Sequence, residues 1–243
     1  MYSGEKLNSI NYDVQLKPES SIDSLKFDLT KWFSVKPDLK KVNPLINLPY
    51  VIDGDNIITQ TNACFTYLGR KLKMLGKTDY ELSLCEQLLC ETMDLRNRMV
   101  RFAYNAESNQ EAALSLLKEV ADKNGPFQKF ELWLQREKDQ DKSGTFLVGD
   151  TASAPDFHLW EMLDQYSFMS FYFNHSPSLL ESFPCLNNFK KSFEELPNNK
   201  NYFSSKLSTL PFNNKSAKFG ATRSGSSWSI DQEYDWGDIS GIY

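Results

Sequence analysis

The stretch NLPYVIDGDNIITQTNA, residues 47–63, decides how the rest of the chain is read. Leu48-Pro49-Tyr50-Val51-Ile52 predicts a strand with proline at its start, where a missing N–H is tolerated. Asp53-Gly54-Asp55 has hairpin turn chemistry, so residues 56–59 are expected to return as the partner strand. Beyond them Ala63, Phe65, Tyr67 and Leu68 fall at helical spacing. Gln60-Thr61 therefore stands where a strand ends and a helix begins. Open N–H groups there attract a carboxylate, and the Thr61 hydroxyl can either help or simply cap the helix.

Upstream, residues 11–17 (NYDVQLK) alternate weakly and predict an edge strand. Residues 20–36 predict a polar loop and a short helix that stops at the Lys36-Pro37 step, since a residue before proline avoids the helical region. After Gly76 the character changes. Thr78-x-x-Glu81 matches a capping box, and Leu82, Cys85, Leu88, Leu89 and Met93 continue at helical spacing past Val100. Residues 111–136 predict a second long helix, kinked or split at Asn124-Gly125-Pro126. After a loop over 146–150, Ser153-Ala154-Pro155-Asp156 opens a third helix with Ser153 as N-cap and Asp156 closing a capping box. Shorter helices are expected over 183–196 and 201–207. Residues 220–243, Gly/Ser-rich and then acidic, predict a disordered tail. The expected fold class is α+β: a small hairpin-and-helix domain over 1–75, then an all-helical domain over 76–219.

Composition narrows the function classes. With 243 residues, 40% hydrophobic, the chain can bury a core without metals or disulfides. A net charge of -5 carries no footprint for nucleic acid. Cys64, Cys85, Cys90 and Cys185 form no C-x-x-C pair, and with His158 and His175 they lack the spacing of a zinc site. Reduced thiols, the lack of a membrane-length apolar run and an opening without secretory layout make the cytosol the expected compartment.

Five segments in this order and spacing carry a resemblance: Trp32-x-x-x-Lys36, Asn47-Leu48-Pro49-Tyr50, Gln60-Thr61-Asn62-Ala63, Met93-Asp94-x-Arg96 and Ser153-Ala154-Pro155-Asp156-Phe157. Together they resemble the glutathione transferase superfamily, the Mu class above all, over residues 11–219. The resemblance implies a thioredoxin-like first domain and a homodimer. It also implies attack of the glutathione thiolate on small electrophiles, with glutathione as co-substrate and no resident cofactor or metal. Leu48 would hold the tripeptide by its main chain, as an added strand, beside a cis Pro49. Gln60 and Thr61 would take the γ-glutamyl carboxylate; Trp32, Lys36 and Asn47 would face the glycyl end. Asp94 would reach the ligand amino group of the partner subunit, although its spacing from Arg98 equally suits a surface ion pair. Tyr104 would line the electrophile pocket, and equally fits a core tyrosine.

The sequence also departs from the family pattern. Met1 to Lys6 corresponds to the end of the family's first helix, so roughly 25 residues, about one strand and one helix, have no counterpart. The expected truncation removes the tyrosine whose hydroxyl stabilises the thiolate, and neither Tyr2 nor Tyr12 stands in its place; Leu29 replaces a family arginine. The 11–17 strand is then expected to lack a partner and the hairpin to expose an edge. Two readings follow: a glutathione transferase, with activity of this chain in question, or a non-catalytic relative that keeps the fold for binding or structure.

Overall fold

The structure is a computed structural model that describes residues 2–5, 7–21, 23–139, 144–174 and 179–222, with Ser227 and Ser229. Residues 47–63 fold as their sequence predicts. Strand β3 (Tyr50–Asp53) pairs antiparallel with β4 (Asn56–Thr59), with Asp53 opposite Asn56. Gly54 opens the two-residue turn at φ +58, a conformation glycine adopts without a Cβ clash. Helix α2 (Thr61–Lys71) follows directly. Tyr67 and Lys71 on its far end both donate to the Asp53 carboxylate, tying the helix back to the hairpin tip.

The upstream part corrects two expectations. The 11–17 strand shrinks to β1 (Gln15–Leu16), and it does have a partner, β2 (Phe27–Asp28), in a separate two-stranded sheet. Local antiparallel pairing supplies what the longer sheet would otherwise provide, while β3 keeps an unpaired edge among the described residues. The short helix does not stop at Lys36. Helix α1 (Thr30–Val42) runs straight through Pro37. The carbonyl that loses its donor there belongs to Phe33, which is 54% exposed, so water can replace the missing N–H.

The helical half starts at a complete capping box: Thr78 Oγ1 accepts from Glu81 N–H while the Glu81 carboxylate takes the Thr78 N–H. Helix α3 (Asp79–Tyr104) runs 26 residues from it. The Gly-Pro step splits the next segment into α4 (Gln110–Val120) and α5 (Pro126–Asp139). Helix α6 (Ala154–Asn174) is buried around most of its circumference and packs on α2, α3, α4 and α7 (Pro184–Glu195). Tyr166 ties it to α3 by donating to the Leu95 carbonyl at 3.0 Å. The opening of α6 is half a capping box. The Asp156 carboxylate accepts from Ser153 N–H and Oγ at 2.7 Å each, but the Asp156 N–H goes to the Ser153 carbonyl. Its second oxygen takes the Leu147 N–H, so the same side chain pins the 146–150 loop. Helix α7 lacks a capping side chain of its own, and buried Glu131 of α5 accepts the N–H groups of Cys185 and Leu186 in its place.

The expected 201–207 helix is α8 (Lys200–Phe203) followed by a 3-10 turn over Lys206–Thr209. The chain then returns across the molecule. Lys218 N–H reaches the Ala103 carbonyl, Lys215 pairs with Asp13, and Ala217 and Ala221 pack with Leu16 and Leu25. The expected tail boundary at Gly220 therefore falls inside a packed segment, since Phe219 and Ala221 are fully buried. Beyond Thr222, all of that tail except Ser227 and Ser229 lies outside the described residues, as does His175. The halves also meet at Gly69, where an added Cβ would come within 2.8 Å of Leu75 and 3.3 Å of Ala154. Among the described residues no helix is long and apolar enough to cross a membrane.

Candidate functional site

The Leu48–Pro49 peptide bond is cis, as the resemblance implies. Asn47 and Pro49 on either side are stapled to the hairpin by one buried side chain. The Thr59 hydroxyl donates to the Asn47 carbonyl at 2.7 Å, accepts the Asn47 N–H at 3.1 Å and lies 3.2 Å from the Pro49 carbonyl. Leu48 between them is 46% exposed, and neither its N–H nor its C=O is bonded among the described residues. A backbone donor and acceptor held open on a fixed frame can pair with an extended ligand.

Thr59 leads straight into Gln60, which takes φ +79 and ψ 131. A non-glycine residue there costs about 1–3 kcal/mol, and such outliers gather at ligand sites. The backbone turns so sharply that Gln60 caps α2 without a side-chain hydrogen bond, and no acidic residue lies in the first turn. The first intrahelical bond runs from Cys64 N–H, which leaves the N–H groups of Thr61, Asn62 and Ala63 open at the positive end of the helix dipole.

On the other side of Pro49 lies an aromatic stack. The Trp32 and Tyr50 rings are 6.0 Å apart and nearly parallel, Tyr12 packs 5.2 Å from Trp32, and the Tyr12 and Tyr50 hydroxyls bond each other at 2.6 Å. Burial, then the Tyr12 hydroxyl, push the Tyr50 phenol up to about 12, so it stays protonated. Lys36 holds its ammonium 5.5 Å from the Trp32 ring centre and 5.7 Å from that of Phe33, with no carboxylate partner among the described residues. The contacts thus run in series from Lys36 through Trp32, Tyr50, Pro49 and Leu48 to Thr59, Gln60 and Thr61. Asn47 contributes its main chain to this frame.

Two of the expected residues stand apart. Asp94 is exposed on α3, and Arg98 pairs with Glu119 at 2.9 Å while touching only the Asp94 carbonyl. The local ion pair is not made. Asp94 lies one turn beyond Cys90, whose sulfur receives the Asn62 amide at 3.7 Å, so it shares the face of α3 that meets α2. Tyr104 ends α3, 41% exposed, and its hydroxyl accepts the Asn214 N–H at 3.4 Å. Neither touches the groove around Leu48 within one chain. The bracing by Thr59 and the packing of Tyr12 and Tyr50 on Trp32 escaped the sequence reading. A polar residue at the last inward position of β4 was the available signal for Thr59; nothing local marks Tyr12, whose partners lie 20 and 38 positions away.

Both halves of the chain have relatives among known proteins. Residues 22–70 match the family described as "Glutathione S-transferase, N-terminal domain", and residues 93–206 match "Glutathione S-transferase, C-terminal domain". The chain is 30% identical over 195 residues to human Glutathione S-transferase Mu 3, covering 80% of this chain and 78% of that protein. It is 34% identical to Glutathione S-transferase Mu 5 of Rattus norvegicus over the same shares. A 26 kDa class-mu isozyme of Schistosoma mansoni is 34% identical over 72% of each chain. Among solved structures, the glutathione S-transferase Blo t 8 superposes with a TM-score of 0.65 over 80% of this chain and 84% of that one, at 23% identity.

Proposed function

This chain belongs to the glutathione S-transferase family, and on that premise we propose that it binds glutathione in the groove around Leu48 and transfers it to electrophiles. The observation that carries the site is the unpaired Leu48 main chain beside cis Pro49, one residue frame away from the open end of α2. The cysteinyl backbone pairs with Leu48 as a short added strand. The γ-glutamyl carboxylate sits at the Thr61–Ala63 N–H groups with the Thr61 hydroxyl, and strained Gln60 aims its exposed amide at the same end. Lys36 supplies charge for the glycyl carboxylate, Trp32 its indole N–H, and Asn47 assists.

In the reaction the thiolate attacks the electrophilic centre, its sulfur forming a bond as the leaving group departs or the double bond opens. The groups named here position the tripeptide and offset its charge, which lowers the entropic part of the barrier. Tyr104 lines the electrophile side. Asp94, exposed on α3, serves the amino group of glutathione bound to the partner subunit of a homodimer. The cytosol, where thiols such as Cys64, Cys85 and Cys185 stay reduced, is the site of action.

Glutathione titrated calorimetrically into the purified chain tests the binding claim. Lys36→Ala and Thr61→Val should each weaken binding about tenfold or more, as expected for a lost bond to a charged group. Unchanged affinity in both variants, or no heat at millimolar glutathione, sinks the assignment. A conjugation rate with an activated aryl halide, measured beside the uncatalysed reaction, separates transfer from binding alone.

A further inference from the structure

We propose that the groove between α6, α7 and α8 binds an aromatic organic cation at a site separate from the glutathione groove. The cavity holds about 710 Å³, within the range of about 300–1,000 Å³ typical of small-molecule sites. It shares no residue with the groove around Leu48, which α1, α2 and the hairpin build. Trp160, Tyr202, Phe203 and Phe212 give it aromatic walls. Trp160 is fixed edge-on to Phe203 at 5.1 Å and stacked on Phe193 at 5.7 Å, so the wall facing the cavity is rigid. Rigid aromatic surface suits a flat ligand, because few rotamers need to be frozen on binding.

The charge beside Trp160 on α6 selects the sign of the ligand. Glu161 and Asp164 lie one turn apart on α6 and both line the cavity. Lys190 sits beside them but is consumed: its ammonium pairs with Glu194 and, at 3.5 Å, with Asp164, and its side chain is only 19% exposed. It cannot turn outward to meet an anion. Glu161 accepts the Gln165 amide at 3.0 Å and makes no ion pair among the described residues; burial pushes its carboxyl up, against the pull of the Arg96 charge and the Gln165 bond, so a cation beside it would favour its charged form. Lys200 at the rim is exposed and opposes a cation only weakly. The protein already shows the favoured combination at this place. Lys190 rests 5.7 Å from the Trp160 ring centre and pairs with the Glu194 oxygen that also accepts the Trp160 indole N–H at 3.1 Å, the aromatic-plus-carboxylate setting that a ligand cation would reproduce in the open half of the groove.

Proflavine, a planar aromatic cation, and fluorescein, a planar aromatic anion, provide the test, each titrated into the full chain by fluorescence anisotropy without glutathione and again with it saturating. Proflavine is expected to bind at one site per chain. Glu161→Gln and Asp164→Asn should each weaken it about fivefold, and Lys200→Gln should strengthen it, a reversal that loss of structure cannot produce. Circular dichroism of each variant controls for folding. Absence of saturable proflavine binding, equal affinity across the three variants, fluorescein binding as tightly, or displacement of proflavine by glutathione overturns the proposal. None of these outcomes bears on whether glutathione itself binds at Leu48.

Discussion

At the scale of single residues, His158 is where the fold holds an ionisable group against its own chemistry. It is 1% exposed on α6, its ring stacks 5.0 Å from Phe65 of α2, and neither ring nitrogen has a hydrogen-bond partner among the described residues. Burial, then the nearby Arg96 charge, lower its pKa from 6.5 to about 4. The folded protein therefore keeps it neutral where the unfolded chain protonates it. Stability is lost as pH falls from about 6.5 to about 4, by about 3 kcal/mol at the lower end. Asp156 two residues earlier works the other way. Burial raises it to about 6 against the pull of its hydrogen bonds, so its neutral form stabilises the fold as pH falls through the same window. Because Asp156 is common to both proteins, comparison with His158→Leu isolates the histidine. Urea unfolding at pH 7 and pH 4.5 should show the variant gaining about 2–3 kcal/mol on wild type at the lower pH. A constant difference between the two would place the imidazole in a wetter setting than the structure gives it.

At the scale of elements, most of the chain behaves as its local rules require. The hairpin turn, the Thr78 capping box and the split at Gly125-Pro126 were all legible, because each depends on residues within a few positions. Pro37 was misread for the complementary reason. The local rule says that proline ends a helix, but the cost is small where the orphaned carbonyl is exposed, and α1 buries only Trp32. That account makes a prediction. Pro37→Ala restores the missing N–H within an exposed helix and should stabilise the protein by about 1–2 kcal/mol in chemical denaturation, without altering the slope with denaturant. Destabilisation would mean that the proline ring makes contacts that the exposed position of α1 gives no reason to expect. The pairing of β1 with β2 was also invisible, since two-residue strands carry no periodicity to read.

At the scale of the whole molecule, the segment after α8 joins the two halves. Phe219 is fully buried among Phe102, Phe168, Tyr172 and Phe173, at ring distances of 5.6 to 6.2 Å. Its neighbours Ala217 and Ala221 pack instead on Leu16 and Leu25 of the β1–β2 unit. Phe219→Ala should cost about 3–5 kcal/mol, the usual loss for a large buried ring. Hydrogen exchange should then quicken at β1 and β2 as well as at α3, because one strap holds both. If only α3 responds, the strap is anchored to the helical half alone. The composition of 220–243 hid this, as Gly220-Ala221-Thr222 look like the rest of a polar tail until their partners are known.

The letters alone determined the hairpin and its following helix and the start of the long helix at Thr78, because these rest on turn chemistry and capping that neighbouring residues decide; the family, and through it the cis proline, came from five short segments in a fixed order and spacing. Only the tertiary structure decided that Thr59 braces both sides of Leu48, that Tyr12 and Tyr50 pack with Trp32, and that Trp160, Glu161 and Asp164 of α6 share a groove with Tyr202, Phe203 and Phe212. Those depend on side chains far apart in the chain meeting in space, and no periodicity along a sequence records such a meeting.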